Sequence, residues 1–112
     1  MRQVGIVVAM VLLVSGALYA FAGQGAETLV LPMEGKYGDV GLPHWTHQEN
    51  LTDCTACHGL FPQETGAIDR LKAEKVLKKK QVMNNCRRCH RSLAKAGKAS
   101  GPIKCMDCHT AG

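Results

Sequence analysis

The sequence predicts a small multihaem fold: a short N-terminal two-stranded β-hairpin and a few helices, with little regular secondary structure, wrapped around three c-type haems. Three observations predict it. All six cysteines fall in three C-x-x-C pairs, each followed at once by histidine: Cys54 and Cys57 before His58, Cys86 and Cys89 before His90, Cys105 and Cys108 before His109. Two further histidines, His44 and His47, stand just ahead of the first motif at i, i+3 spacing. Finally, residues 23–112 contain only Tyr37, Trp45 and Phe61 as aromatics. So small a chain, so poor in large apolar residues, cannot bury an adequate core from its own side chains. Three flat, apolar porphyrins would fill that interior.

The N-terminal residues are expected to stand outside this domain. Arg2 is a short positive n-region, Val4–Leu18 is an apolar run broken by Ser15 and Gly16, and Ala20-Phe21-Ala22 is an A-x-A cleavage site ahead of Gly23. This is the pattern of a secretory signal peptide over 1–22, leaving one domain over 23–112 and implying export to the periplasm. The alternative is an uncleaved anchor, against which the run is short for a bilayer span of ~20 residues. No cysteine stands at the cleavage site, so the signal is not that of a lipoprotein.

The cysteine spacing carries the chemistry. Two thiols three residues apart lie on one side of a helical turn. From there they can reach the two vinyl groups on one edge of a haem as thioethers. The following histidine then offers its imidazole to the iron as proximal ligand, the C-x-x-C-H signature of c-type haem attachment. Zinc sites join such pairs in twos, and three pairs leave one over. Thiol redox chemistry needs a surrounding βαβ pattern that this chain lacks. An exported chain with six cysteines would otherwise suggest disulfides, but none is left unclaimed.

The remaining elements follow in order. Thr28–Pro32 ("TLVLP") reads as a short strand, "MEGKYGD" with its two glycines as a turn, and "DVGLPH" as a second strand ending at Pro43. Together they form a hairpin too small to stand alone. On a helical turn His44 and His47 lie side by side and can point at two neighbouring irons. Gly59–Thr65 reads as a loop. Ala67–Val82 reads as one helix, with Ile68, Leu71, Val76 and Leu77 as its apolar stripe and Arg70, Lys72, Lys75, Lys78, Lys79 and Lys80 on the other face. Gly97–Pro102 reads as a linker between the last two motifs.

With these residues in place, "GDVGLPHWTHQENLTDCTACH" resembles the start of the small three-haem periplasmic cytochromes called cytochrome c7, relatives of the four-haem cytochrome c3 within the class III c-type cytochromes. The closing "GPIKCMDCHTAG" resembles that family's last haem motif. The likeness runs from about Leu29 to Thr110. It implies a multihaem cytochrome with a short N-terminal sheet and three closely packed haems. It also implies that His44 ligates the first haem opposite His58, and that His47 ligates the second opposite His90. In the family a third distal histidine, four residues before the second motif, serves the last haem. That position here is Val82, so the haem on Cys105, Cys108 and His109 is the odd one.

Met83 stands next to the vacant place, and a thioether is a recognised haem ligand that raises the potential relative to a second histidine. Met83 can equally pack on a porphyrin. Lys78, Lys79, Lys80 and the remoter Met33 are alternatives, as is an open iron, while Met106 lies inside an attachment loop on the proximal side.

Charge adds less. The full chain has 14 Lys+Arg against 9 Asp+Glu, and six haem propionates would cancel or reverse that excess. The cations Arg87, Arg88, Arg91 and the lysines form either a solvated face that neutralises propionates or a docking patch for an acidic redox partner. Export excludes nucleic acid as a partner. The expected function is that of a periplasmic electron carrier, a monomer exchanging electrons with redox protein partners and needing no catalytic constellation. The alternatives are a haem enzyme or small-molecule sensor using an open last haem, and a membrane-anchored subunit of a respiratory complex.

Overall fold

The structure, a computed structural model, describes residues 25–33 and 35–109. The expected signal segment 1–22 lies outside the described residues. Strands β1 (Thr28–Leu31) and β2 (Val40–Pro43) pair antiparallel, with Thr28 opposite Pro43 and Leu31 opposite Val40. Their connection is closed by the Asp39 carboxylate, which accepts the Met33 backbone N–H at 2.9 Å. The hairpin is therefore where the β-branched and aliphatic residues predict it.

Helix α1 (His44–Asn50) starts directly on the last residue of β2, with Pro43 as its cap. Proline suits that place, because its fixed φ ends the strand and the first N–H groups of a helix lack partners anyway. Trp45 fastens α1 back to the N-terminal segment: its backbone N–H reaches the Glu27 carbonyl at 3.2 Å and its indole N–H reaches the Gly25 carbonyl at 3.1 Å.

The first attachment motif forms a single turn, α2 (Thr55–His58). Asp53 clips its start, taking the Thr55 backbone N–H at 2.9 Å as well as the Thr55 hydroxyl. These bonds, the hydroxyl's first, hold the Asp53 carboxyl below its ordinary range.

The expected single helix over Ala67–Val82 is instead two. Helix α3 (Ala67–Ala73) ends, and α4 (Gln81–Lys95) begins after seven intervening residues. Lys75 takes the left-handed conformation at φ 60, and its N–H bonds the Lys72 carbonyl at 3.0 Å while Val76 N–H bonds the Leu71 carbonyl at 2.9 Å. That bond pair is a Schellman C-cap. The turn that follows brings Leu77 inward, and a second left-handed residue, Lys80 at φ 65, launches α4. The cations expected on one helical face are thus divided between α3, the turn and the start of α4.

Helix α4 carries the second motif along its length and ends at Gly97, φ 68, with a Schellman pair of its own: Gly97 N–H to Ala94 and Lys98 N–H to Leu93, both 3.0 Å. After the linker, α5 (Cys105–Cys108) holds the third motif. His109 then pairs with Val40 in an isolated antiparallel bridge, returning the C-terminal motif to the N-terminal hairpin.

Among the described residues only Ala67, Leu77 and His109 are buried, at 3%, 5% and 7% exposure. Meanwhile Leu29, Val30, Met33 and Tyr37 of the hairpin region are exposed. The described residues thus bury almost no side-chain core of their own, and their apolar surface lies open to the flat faces that the cysteine motifs imply.

Candidate haem sites

Each motif puts its two cysteines on one helical turn, at α2 with Cys54 as its cap, in α4 and in α5, and all six are unpaired thiols. Burial, then the neighbouring Cys89 and Cys54, pushes the Cys57 thiol up, while burial followed by Asp107 and Cys105 does the same for Cys108.

The histidines are arranged in facing pairs. His44 at the start of α1 and His58 at the end of α2 have ring centroids 6.4 Å apart with planes at 88°. His47, one turn along α1, and His90 in α4 have centroids 6.1 Å apart with planes at 29°. Two imidazoles that each place a nitrogen about 2 Å from a shared metal have centroids about 6 Å apart, so both gaps fit one iron. The i, i+3 spacing of His44 and His47 sets the two rings of one short helix against two different histidines, His58 and His90.

Hydrogen bonds settle which nitrogen is available. His47 Nδ1 lies 2.9 Å from the Pro43 carbonyl, His58 Nδ1 3.3 Å from Phe61, His90 Nδ1 2.7 Å from Pro102 and His109 Nδ1 3.0 Å from Gly38. A carbonyl can only accept, so Nδ1 carries the proton in each and Nε2 keeps its lone pair for a metal. The exception is His44, whose Nδ1 is buried without a partner and whose ring packs against Gly25.

The pairing also suits the group. A porphyrin already gives its iron four nitrogens and needs two protein ligands at most, whereas a structural zinc needs four. Among the described residues no group of three or more His, Cys, Asp or Glu converges on one point.

His109 is different. Its ring neighbour is Tyr37, 5.6 Å away and tilted by 42°. That separation is too short for a phenolic oxygen reaching across an iron, which places Tyr37 beside the imidazole. Met83 lies half-buried in the first turn of α4, on the face it shares with Cys86 and His90 by i, i+3, i+7 spacing. The Cys86 thiol feels that of Cys108, and the Cys108 thiol feels the Arg87 guanidinium, so the third motif comes near the middle of α4. Lys78, Lys79 and Lys80 are exposed.

Set against known proteins, residues 40–110 match the family described as "Cytochrome c7 and related cytochrome c". The chain belongs to the cytochrome c7 family. A cytochrome c7 of Geobacter metallireducens is 32% identical over 99 residues, covering 88% of this chain and 94% of that one. Among solved structures, the triheme cytochrome PpcA of Geobacter sulfurreducens aligns with a TM-score of 0.51 at 30% identity, covering 76% of this chain and 99% of PpcA. PpcB, a cytochrome c7 from the same organism, gives 0.50 at 28%, with the same coverage. As a cytochrome c7 the protein carries three covalently attached haem c groups, for which its six cysteines fit three attachments, and it is an electron-transfer protein with redox partners.

Several contributors had no signature in the sequence. The carbonyls of Pro43, Phe61, Pro102 and Gly38 fix the histidine tautomers, and a backbone oxygen is present in every residue. Gly101 is the one that could have been read: a Cβ there would stand 2.5 Å from the His90 ring, so only glycine lets the chain lie flat against that imidazole. In the sequence it passed as part of a linker.

Proposed function

We propose that this cytochrome c7 is a monomeric periplasmic electron carrier in which Cys54 and Cys57, Cys86 and Cys89, and Cys105 and Cys108 attach the three haems, and His58, His90 and His109 are their proximal ligands. Four histidines facing in two pairs, at 6.4 and 6.1 Å, are the observation that carries the reading. In it His44 completes the first site and His47 the second. Met83 is the distal ligand of the third, supported by the half-buried place it takes on the face of α4 that carries Cys86, which the third motif approaches. Residues 1–22 act as the export signal, and among the described residues no helix is long and apolar enough to cross a membrane.

Bound haem iron supplies one-electron chemistry, alternating between ferric and ferrous states. The chain's own contribution is rigidity and tuning. Carbonyl bonds at Nδ1 hold four imidazoles in place and make them stronger donors, which favours the ferric state. The Pro102 carbonyl accepts from His90 at 2.7 Å and lies 3.9 Å from the Cys108 sulfur, so one peptide group touches both the second and the third sites.

Electron paramagnetic resonance of the oxidised, fully matured protein tests the proposal, together with the mass of the protein recovered from the periplasm. Expected are three low-spin irons, only two of them bis-histidine, and a chain that starts at Gly23. A high-spin third iron open to carbon monoxide would instead favour the enzyme or sensor reading, and a retained N-terminus would favour the anchored subunit.

A further inference from the structure

Charge is unevenly divided along this chain. Residues 75–106 hold ten of the fourteen lysines and arginines and none of the nine acids. The ion pairs of the acidic part are local, joining Arg70 to Glu64 and Glu74 and Lys72 to Asp69. Within the basic part, α4 sorts its residues by face. Asn84, Arg88, Arg91 and Lys95 recur at i, i+4, i+7 and i+11, one stripe of a 3.6-residue helix. Cys86, Cys89 and Leu93 lie on the opposite side.

Arg88, Arg91 and Lys95 are exposed, and with Ile103 they line a groove of about 650 Å³. Arg88 also lines a second groove of about 330 Å³, shared with Lys78 and Lys79. Its guanidinium is steadied by a 2.9 Å bond to the Asn85 side chain, a neutral partner that leaves the charge in place. Asn85 in turn donates to the Ala56 carbonyl at 2.9 Å, tying this face to the first attachment turn.

We propose that this stripe of α4, Arg88, Arg91 and Lys95 with Lys78 and Lys79 beside it, is the face on which a carboxylate-rich redox protein docks. Guanidinium groups match carboxylates in a bidentate fork. A lipid surface would ask for several large apolar side chains flanking the cations, whereas the groove offers Ile103 alone, beside Ser92 and Ala94. A partner seated here lies one helix diameter, about 10 Å, from the side that carries Cys86 and Cys89. The proposal rests on the electron-carrier reading and names the chemistry of its partner.

The test uses the matured three-haem protein, labelled with ¹⁵N and titrated with a short poly-L-glutamate peptide at low salt. Amide shifts are expected at Lys78, Lys79 and along 84–95. Binding is expected to weaken about tenfold in Arg91→Glu/Lys95→Glu, since exposed pairs are each worth only a few-fold, while Lys36→Glu and Lys72→Glu leave it unchanged. Neither Arg91 nor Lys95 belongs to an attachment motif, so the haem spectrum of the double variant serves as its folding control. Shifts spread evenly over all cations would overturn the proposal, as would an Arg91→Glu/Lys95→Glu protein that binds as before because haem propionates already occupy the stripe. Tighter binding of the same residues to vesicles of one-third anionic lipid would assign the face to membranes and overturn it too. Reduction and reoxidation by a small uncharged mediator, followed in parallel, checks the carrier reading separately.

Discussion

His58 and His90 each look across about 6 Å at a histidine delivered by α1, whereas the ring beside His109 is Tyr37. The two regions are built by different means. In the first, a helix of seven residues starting on Pro43 presents two imidazoles one turn apart, and local helical geometry does the positioning. In the second, a histidine is buried to 7% exposure by contacts distant in sequence: the Gly38 carbonyl, the bridge to Val40 and the face of Tyr37. The paired region is specified by side-chain spacing and the unpaired one by tertiary folding. Under the proposed ligation, two sites of one chemistry beside a third of another would also let a small carrier hold different potentials within one domain.

The comparison breaks most readily at α1. Under the proposed ligation, His44→Ala or His47→Ala each removes one side of a pair, so each variant is expected to show one high-spin iron beside two low-spin ones. Absorption and paramagnetic resonance of the ferric protein read this directly. Neither change altering the spin state would mean that the facing rings do not hold iron. The intact protein sharpens the same point: the near-perpendicular planes of His44 and His58 and the near-parallel planes of His47 and His90 are expected to give two distinct low-spin signals.

Next in size is the third site. With Met83 as distal ligand, Met83→Leu is expected to abolish a weak red absorption band and to lower the highest of the three potentials by something on the order of 100 mV, since thioether ligation raises the potential. If voltammetry shows all three waves unmoved, Met83 merely packs on a porphyrin.

A smaller effect is expected at Gly101. Its backbone lies against the His90 ring, and an added methyl meets three of the ring's atoms at 2.5 to 3.0 Å. Gly101→Ala must push the imidazole or the linker aside, at about 1–3 kcal/mol for overpacking. Thermal melting of the matured protein should fall by several degrees, with the second haem's signal perturbed and the first one's unchanged. Equal disturbance of both signals would mean that the strain spreads along α4 rather than staying at His90.

How far the sequence discloses this molecule can be argued from its two helix ends. The hairpin, the attachment motifs and the side-by-side His44 and His47 are visible in it because each rests on residue type at short spacing: aliphatic runs, C-x-x-C-H, i, i+3; which histidine each of those two faces is implied only by the family resemblance. The end of α4 is visible for the same reason, since Gly97 is the residue a left-handed C-cap favours. The end of α3 is hidden. Its cap has the same two hydrogen bonds, yet its left-handed position is filled by Lys75, and the apolar stripe Ile68, Leu71, Val76, Leu77 runs through it as if one helix continued. What ends α3 is tertiary demand: the turn buries Leu77 at 5% exposure while leaving Val76 at 63%.

That contrast yields the smallest prediction and a clean one, because it compares one motif with two fillings. A non-glycine residue held left-handed costs roughly 1–2 kcal/mol in steric strain, and glycine escapes it at the expense of greater freedom in the unfolded chain. At Lys75 the strain should prevail, so Lys75→Gly is expected to stabilise by about 0.5–1 kcal/mol. At Gly97 the reverse change, Gly97→Ala, is expected to destabilise by about 1 kcal/mol. Neither residue belongs to an attachment motif or a histidine pair, so the haem spectra should stay fixed while the melting temperatures move in opposite directions by a few degrees. If Lys75→Gly instead lowers the melting temperature, the left-handed lysine is not strained against an otherwise helical preference. The break between α3 and α4 would then be the local choice of the residues from Glu74 to Lys80, and the burial of Leu77 a consequence of that turn rather than its cause.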